Sequence, residues 1–204
     1  MNRRAILTQK DWDLLPRELD GATLLEIKGE GLQMTLSDSS PQVRFLAKAG
    51  TLILKGDAHP SITASAGQPL IEAEDISHPH IHISGNAQPL ITAEGSSQPL
   101  VQASGQSQVD FLACDQAQPT LVLRGQSTAE LNLWDLSKTS LETADLARAT
   151  VIANEQAELD AAPDTRALLE WYSDAPAPKL FLPGARRAME IPLPPPGFEK
   201  PRIK

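Results

Sequence analysis

The sequence predicts an all-β fold, a single-stranded parallel β-solenoid (β-helix) with about 20 residues in each coil. Three observations predict it. A ten-residue pattern repeats through the middle of the chain, apolar and polar residues alternate inside each repeat, and aromatic residues make up only 4% of the chain. Such alternation is typical of β-strands with one buried face. We therefore expect a thin core built from small aliphatic side chains.

The repeat is clearest from Gln68 to Ser127, and its register continues to Ala157. One position is always apolar: Ile71, Ile81, Ile91, Val101, Phe111, Leu121, Leu131, Leu141 and Val151. Two residues later the side chain is mostly small or aliphatic, and two further on stands glycine or an acidic residue. Glycine and aspartate tolerate the positive φ of a corner. The next alternate position is serine or alanine, which lets the chain pack closely where it bends.

A strand and a corner of ten residues cannot enclose a core, whereas two such segments close one coil with two facing walls. Corresponding strands then stack about 4.8 Å apart in parallel ladders. We expect the solenoid to span residues 42–161 in roughly five coils. Pro60 precedes Pro69 by nine residues, which predicts a coil that is one residue short or bulged. The alternative is a set of antiparallel hairpins, which would not need a fixed ten-residue phase.

Between Ala129 and Ala153 the sequence also reads in fives, with apolar centres at Leu131, Leu136, Leu141, Leu146 and Val151. This stretch resembles the pentapeptide-repeat family, whose members form a four-sided right-handed β-helix with the central residues facing the core. Some members imitate DNA and bind type II topoisomerases. The rest of the repeat region resembles the decapeptide β-solenoids of bacterial and phage proteins, which implies a structural or binding role.

Both ends of a solenoid need a cap, because uncovered strand edges polymerise. Residues 1–41 are the predicted N-terminal cap, with a short helix near Asp11 to Leu19 and a hairpin turned at Gly29 and Gly31. Residues 162–173 are the predicted C-terminal cap, since Asp164 to Tyr172 can form a short helix. Residues 174–204 contain eight prolines and are predicted to form an extended, basic arm.

The charge is distributed unevenly. Residues 179–204 carry six cations and two anions, a net +4, which leaves −12 on the rest of the chain. The acidic body argues against direct nucleic-acid binding, which needs clustered lysine and arginine facing phosphates. Opposite charge predicts that most of Ala175 to Phe198 lies on the chain's own rod, and the alternative is that this arm docks on a partner.

Outward apolar residues mark a candidate partner surface. Leu70 and Leu90 should lie one coil apart and form a small apolar stripe, which either the arm or a partner covers. The candidate partner-binding residues are Leu70, Leu90 and Leu100 on the rod and Phe181, Arg186, Arg187 and Phe198 on the arm. We expect a protein partner, and the sequence is also compatible with a homo-oligomer.

His59, His78 and His80 are candidate metal ligands. His59 and His78 each precede a proline two segments apart, so their rings should stack, and His80 lies on the same outward face as His78. Imidazoles this close can bind transition metals such as zinc or nickel. The alternative is a solvated stack that takes up metal only adventitiously, because no acidic partner stands in register. We predict no cofactor.

Catalytic signatures are sparse. Glu74 and Glu94 face outward one coil apart, as do Asp110 and Glu130, and solenoid enzymes that act on polysaccharides use paired acids of this kind. No aromatic platform or pocket-forming insertion accompanies these acids, and Cys114 has no base beside it. We therefore predict a protein that is not an enzyme.

The single cysteine excludes an internal disulfide, and neither a signal peptide nor a transmembrane span is recognisable, which predicts a cytoplasmic protein without membrane contact. The predicted function is a structural or adaptor element that binds protein in a bacterial or phage assembly. One alternative is an inhibitor, such as a toxin-neutralising immunity protein or a DNA-mimicking topoisomerase binder. A third hypothesis is a solenoid that binds or acts on polysaccharide.

Overall fold

The structure is a computed structural model, and it describes residues 2–16, 19–153, 156–163, 168–173 and 179–180. The chain winds through two parallel sheets, which confirms the all-β solenoid class. The strands of sheet A are β1 (Asn2–Ile6), β2 (Thr23–Ile27), β4 (Gln42–Phe45), β6 (Ser61–Ala64), β8 (His80–Ile83), β10 (Leu100–Ala103), β12 (Thr120–Leu123), β14 (Lys138–Thr143), β16 (Glu158–Pro163) and β18 (Lys179–Leu180).

Sheet B is the second wall of the solenoid. Its strands are β3 (Leu32–Ser37), β5 (Ala49–Lys55), β7 (Gln68–Ala73), β9 (Leu90–Ala93), β11 (Gln108–Ala113), β13 (Thr128–Leu133), β15 (Arg148–Ala153) and β17 (Leu168–Ser173). One short helix, α1 (Gln9–Asp13), precedes β2. Within the described part of the chain, no helix is long and apolar enough to cross a membrane.

From β7 to β17, successive coils are aligned by parallel pairing at a spacing of 20 residues, as the repeat predicts, whereas β2 and β3 pair with β4 and β5 at a spacing of 18. Val101 pairs with Leu121 in sheet A, and Phe111 pairs with Leu131 in sheet B. Consecutive ten-residue segments therefore lie on opposite walls. The solenoid has about eight turns rather than the roughly five expected, because residues on both sides of 42–161 add strands to the same two sheets.

The nine-residue interval between Pro60 and Pro69 shortens one coil without breaking either sheet. Leu52 pairs with Ile71 and Ile62 pairs with Ile81, so the offset here is 19 residues on both walls. Five residues separate Ala64 from Leu70, whereas six separate their partners Ile83 and Leu90 in the next coil. The predicted short coil is therefore confirmed.

The inward residues of each wall form a continuous buried column. In sheet B the column consists of Ile71, Ile91, Phe111, Leu131 and Val151, each at most 1% exposed. Burying an aliphatic side chain of this size stabilises the fold by about 1.5–3 kcal/mol. Repetition of this column supplies the core that no single coil could provide.

The corners have positive φ, as their glycine or aspartate predicts. Gly85 has φ of 61° and Asp115 has φ of 56°. The corner aspartates also have a role that the repeat pattern does not reveal. The N–H of Gly56 donates to Asp75 Oδ2 and that of Gly95 donates to Asp115 Oδ2, both at 3.0 Å. Each of these carboxylates therefore satisfies a backbone donor in the preceding coil.

The N-terminal cap is shorter than the predicted residues 1–41. β1, β2 and β3 belong to the two sheets, and α1 overlaps the predicted helix only at residues 11–13. β2 and β3 lie in different sheets, so Gly29 and Gly31 lie in a corner and the predicted hairpin was wrong. A glycine turn between two strands looks the same in the sequence whether the strands pair with each other or with the next coil.

The predicted C-terminal helix in residues 162–173 was also wrong. Leu168–Ser173 forms β17, which pairs in parallel with β15. The open edge of β15 offers a full ladder of hydrogen bonds, whereas an isolated helix of this length is marginal. Lys179–Leu180, within the predicted arm, pairs with Asp160–Ala161, so the solenoid continues past the predicted boundary.

The five-residue reading of residues 129–153 does not describe this structure. Leu136 is 48% exposed and Leu146 is 58% exposed, whereas the central residues of pentapeptide repeats face the core. Leu131 and Leu141 are buried, as the ten-residue pattern predicts. One strand and one corner together span ten residues. Every second central residue of the five-residue reading therefore lies at a corner.

Candidate functional site

The outer face of sheet B carries one apolar side chain on each of four neighbouring strands. Leu70 on β7 pairs with Leu90 on β9, which confirms that they lie one coil apart. Ile53 on β5 is displaced by two residues from the partner of Leu70, and Leu112 on β11 is displaced by two residues from the partner of Leu90, so both lie diagonally beside this pair. Leu90 is 44% exposed and the other three are half-buried. We call these four residues the apolar strip.

Carboxylates lie on the same face around the apolar strip. They are Glu72, Glu74, Glu94, Asp110 and Glu130, and we call them the acidic border. Burial raises the pKa of Glu72 above its usual value, and the nearby charges of Glu74 and Glu94 raise it further. This group of three glutamates therefore repels itself, and a cation brought close to it would be attracted.

The acidic border is poorly balanced by cations. Lys55 Nζ lies 3.0 Å from a carboxylate oxygen of Glu74, but the other four members form no salt bridge with any described residue. Asp110 and Glu130 pair directly on β11 and β13. Like charges in this position destabilise a sheet. The apolar strip is thus bordered by negative charge that Lys55 compensates only in part.

Leu100 does not belong to the apolar strip. It lies on β10 in sheet A, where it pairs with His80 and Thr120. The ten-residue repeat places consecutive segments on opposite walls, so the side chains of Leu90 and Leu100 face away from each other. The other predicted partner-binding residues, Phe181, Arg186, Arg187 and Phe198, lie outside the described residues.

The corners before β6 and β8 bring His59 and His78 together. Their ring centroids are 4.9 Å apart and the ring planes differ by 9°, which confirms the predicted stack. The sequence analysis missed Asp57, whose Oδ1 lies 2.7 Å from His59 Nε2. One ligand atom from each of Asp57, His59 and His78 lies within 4.8 Å of the others, and His80 is not part of this group. The expectation that no acid accompanies the histidines was therefore wrong.

Cys114 is half-buried on the outer face of sheet B, one coil beyond Glu94. Burial raises the pKa of its thiol to about 11, with further contributions from Glu94, Asp115 and Asp135. The thiol is therefore protonated at neutral pH, and only the thiolate is a good nucleophile.

The parallel solenoid with about 20 residues in each turn is established by the geometry alone. No protein-family model, curated protein or solved structure matches the chain. The resemblance to decapeptide repeats therefore stays a prediction from the sequence.

Ile53 and Leu112 are the members of the apolar strip that sequence analysis missed. Both are outward residues of strands, so the alternation contained a signal for their exposure. Their neighbours on the surface are diagonal, however, and a diagonal contact becomes visible only when the register between coils is known. Asp57 had a simpler signal, because it stands two residues before His59.

Proposed function

We propose that the protein is a non-enzymatic structural or adaptor element that binds a protein partner along the outer face of sheet B. The observation that supports this proposal is the apolar strip within its acidic border. The strands beneath it are hydrogen-bonded to neighbours on both sides, so the surface is rigid. A rigid surface loses little conformational entropy when a partner binds.

The partner that fits this surface is a basic protein segment with apolar side chains. Apolar contact with the strip would remove Leu90 from water, and adjacent lysine or arginine would neutralise carboxylates that now lack a cation. A cation beside Glu72 would also oppose the repulsion that raises the pKa of this residue. Nucleic acid fits less well, because the acidic border would repel its phosphates.

The C-terminal arm has the same chemistry as the proposed partner. Residues 179–204 combine a net charge of +4 with several apolar side chains, among them Phe181 and Phe198. The arm is therefore a competing occupant of the apolar strip. An experiment must distinguish binding of a partner from docking of this segment.

The experiment compares full-length chains that differ on one wall only. Leu90→Ser removes the most exposed member of the apolar strip, and Leu100→Ser is the matched control on sheet A. A protein captured from source cells is purified, and its dissociation constant for each chain is measured. We expect Leu90→Ser to weaken binding by about tenfold, or ~1.4 kcal/mol, and Leu100→Ser to leave it unchanged.

Added salt should weaken the interaction further, because it screens attraction to the acidic border. Equal losses of affinity in the two variants, or an affinity that does not change with salt, would contradict the proposed surface.

Removal of residues 181–204 distinguishes binding of a partner from docking of the C-terminal arm. If the arm covers the strip, the shortened chain will bind the partner more tightly than the full chain, and Leu90→Ser will lower the melting temperature of the full chain.

A further inference from the structure

The corner before β6 and the corner before β8 bring together a group of candidate metal ligands, away from the apolar strip. Asp57 and His59 belong to the first corner, and His78 belongs to the next coil. The side chain of Asp57 is 61% exposed and that of His59 is 46% exposed. Three side chains with metal-ligating atoms thus meet where solvent has direct access.

Backbone hydrogen bonds hold the three residues in place. The N–H of His59 donates to the carbonyl of Ser39 at 3.1 Å, and that of His78 donates to the carbonyl of Ala58 at 2.9 Å. The N–H of Asp57 donates to Asp38 Oδ1 at 2.8 Å. A metal ion would therefore need to reorient side chains only, because the backbone already aligns the two coils.

We propose that Asp57, His59 and His78 bind one divalent transition-metal ion of the zinc and nickel class. Imidazole nitrogen and carboxylate oxygen are ligands that these ions accept. The ion would take the place of the proton between His59 Nε2 and Asp57 Oδ1, which are 2.7 Å apart. This proposal does not depend on the function proposed for sheet B.

The geometry requires a small adjustment. Ligand atoms around a tetrahedral zinc ion lie roughly 3.4 Å apart, as bond lengths near 2.1 Å dictate. The candidate ligand atoms lie within 4.8 Å of one another, and the two rings are nearly parallel. The rings must therefore tilt so that their lone pairs converge, which the exposure of His59 and the partial exposure of His78 allow. Three protein ligands leave a fourth position open to water or to a ligand from another molecule.

The two remaining histidines provide matched controls. His80 and His82 lie on β8 and are exposed, yet neither belongs to the group of three. Variants at these positions remove an imidazole from the strand that directly follows the corner of His78, without removing a proposed ligand. They therefore separate a specific site from general uptake of metal by surface histidines.

The experiment is calorimetric titration of zinc chloride, and separately nickel chloride, into the full chain produced without a histidine tag. We expect one ion for each chain and a higher melting temperature in its presence. His59→Ala, His78→Ala and Asp57→Asn should each weaken binding by about tenfold or more, while His80→Ala and His82→Ala leave it unchanged. Circular dichroism establishes that each variant retains its sheets.

Three results would overturn the proposal. The first is absence of saturable binding to the wild-type chain. The second is equal binding by His78→Ala and the wild type. The third is a loss in His80→Ala or His82→Ala as large as that in Asp57→Asn, which would indicate adventitious uptake by surface histidines.

Discussion

At the scale of single residues, aspartate and glycine share the corner conformation but differ in what they bond. Asp135 has φ of 57°, and its Oδ2 accepts the N–H of Asp115 at 3.0 Å. At Gly105, with φ of 73°, an added Cβ would come within 3.1 Å of the backbone nitrogen of Gly85. Glycine thus avoids a close contact with the preceding coil at Gly105, whereas the side chain of Asp135 forms a hydrogen bond with that coil at its own corner.

The buried serines of the corners illustrate selection for size. Four of them are fully buried, and their hydroxyls have no hydrogen-bond partner among the described residues: Ser77, Ser97, Ser107 and Ser137. Ala87 and Ala117 occupy equivalent corner positions and are equally buried. The small volume of the side chain is therefore the common requirement, because the corner backbones of adjacent coils lie close together.

The alternation predicts that the same substitution strongly destabilises the fold at an inward residue and is tolerated at the outward residue beside it. Leu121 is fully buried in β12, whereas Thr120 faces outward between Leu100 and Ser140. Leu121→Asp should destabilise the fold by about 3–5 kcal/mol, because an unpaired charge enters the core. Thr120→Asp should change stability by less than about 0.5 kcal/mol. Urea denaturation measures both values, and similar tolerance at the two positions would refute the two-walled arrangement.

At the scale of strands, one buried carboxylate joins the first strands of sheet A. Glu26 is 1% exposed and lies 2.7 Å from Arg3 on β1, 3.3 Å from Lys28 and 3.8 Å from Arg44 on β4. The hydrogen bond from Arg3 lowers the pKa of Glu26 below its usual value, against the opposing effect of burial, and Lys28 lowers it further. Ionised Glu26 therefore stabilises the start of the solenoid.

This lowered pKa predicts a stability difference that depends on pH. A carboxyl group whose pKa is lower in the folded state stabilises the fold above its unfolded pKa, and the effect disappears as the pH falls through the folded value. Glu26→Gln should therefore melt at a lower temperature than the wild type near pH 7. The two melting temperatures should converge below the ordinary glutamate pKa of 4.5.

Glu142→Gln is the control for this experiment. Glu142 lies on the same outer face of sheet A, is exposed and forms no salt bridge with any described residue. It should show little difference from the wild type at any pH. A pH-independent deficit in Glu26→Gln would attribute the effect to packing rather than to charge.

At the scale of the whole molecule, the solenoid must protect its strand edges from pairing with other chains. The side-chain amide of Gln9 in α1 covers part of β3, the edge strand of sheet B, by forming the two hydrogen bonds that a neighbouring strand would form. Its Nε2 donates to the carbonyl of Gln33 at 2.7 Å, and its Oε1 accepts the N–H of Gln33 at 3.1 Å. Thr8 is the N-cap residue of α1, so local hydrogen bonds stabilise the helix that holds Gln9 at this edge.

Loss of this edge contact should promote self-association. Gln9→Ala exposes the backbone donor and acceptor of Gln33, whereas Gln33→Ala retains both and serves as the control. Multi-angle light scattering during gel filtration should show a concentration-dependent increase in mass for Gln9→Ala only. Identical masses for both variants and the wild type across the concentration range would show that the edge is protected by other means.

The features predictable from the sequence are those that repeat. The ten-residue alternation predicted the parallel stacking, the short coil before Pro69, the adjacency of Leu70 and Leu90, and the stack of His59 on His78. Each of these features follows from the period, because parallel pairing places residues that are one coil apart in the sequence next to each other in adjacent coils. The roles proposed for these residues do not repeat, so periodicity contains no information about them.

What the sequence by itself determined is which side chains face the core and which coils they occupy, because alternation and period are local properties. Only the tertiary structure decided that Leu168–Ser173 extends a sheet instead of forming a helix, since the edge of β15 lies outside that segment. It also decided that Leu136 and Leu146 are exposed and that Ile53 and Leu112 complete the apolar strip. These outcomes depend on contacts between coils, and such contacts exist only after the chain has closed around its core.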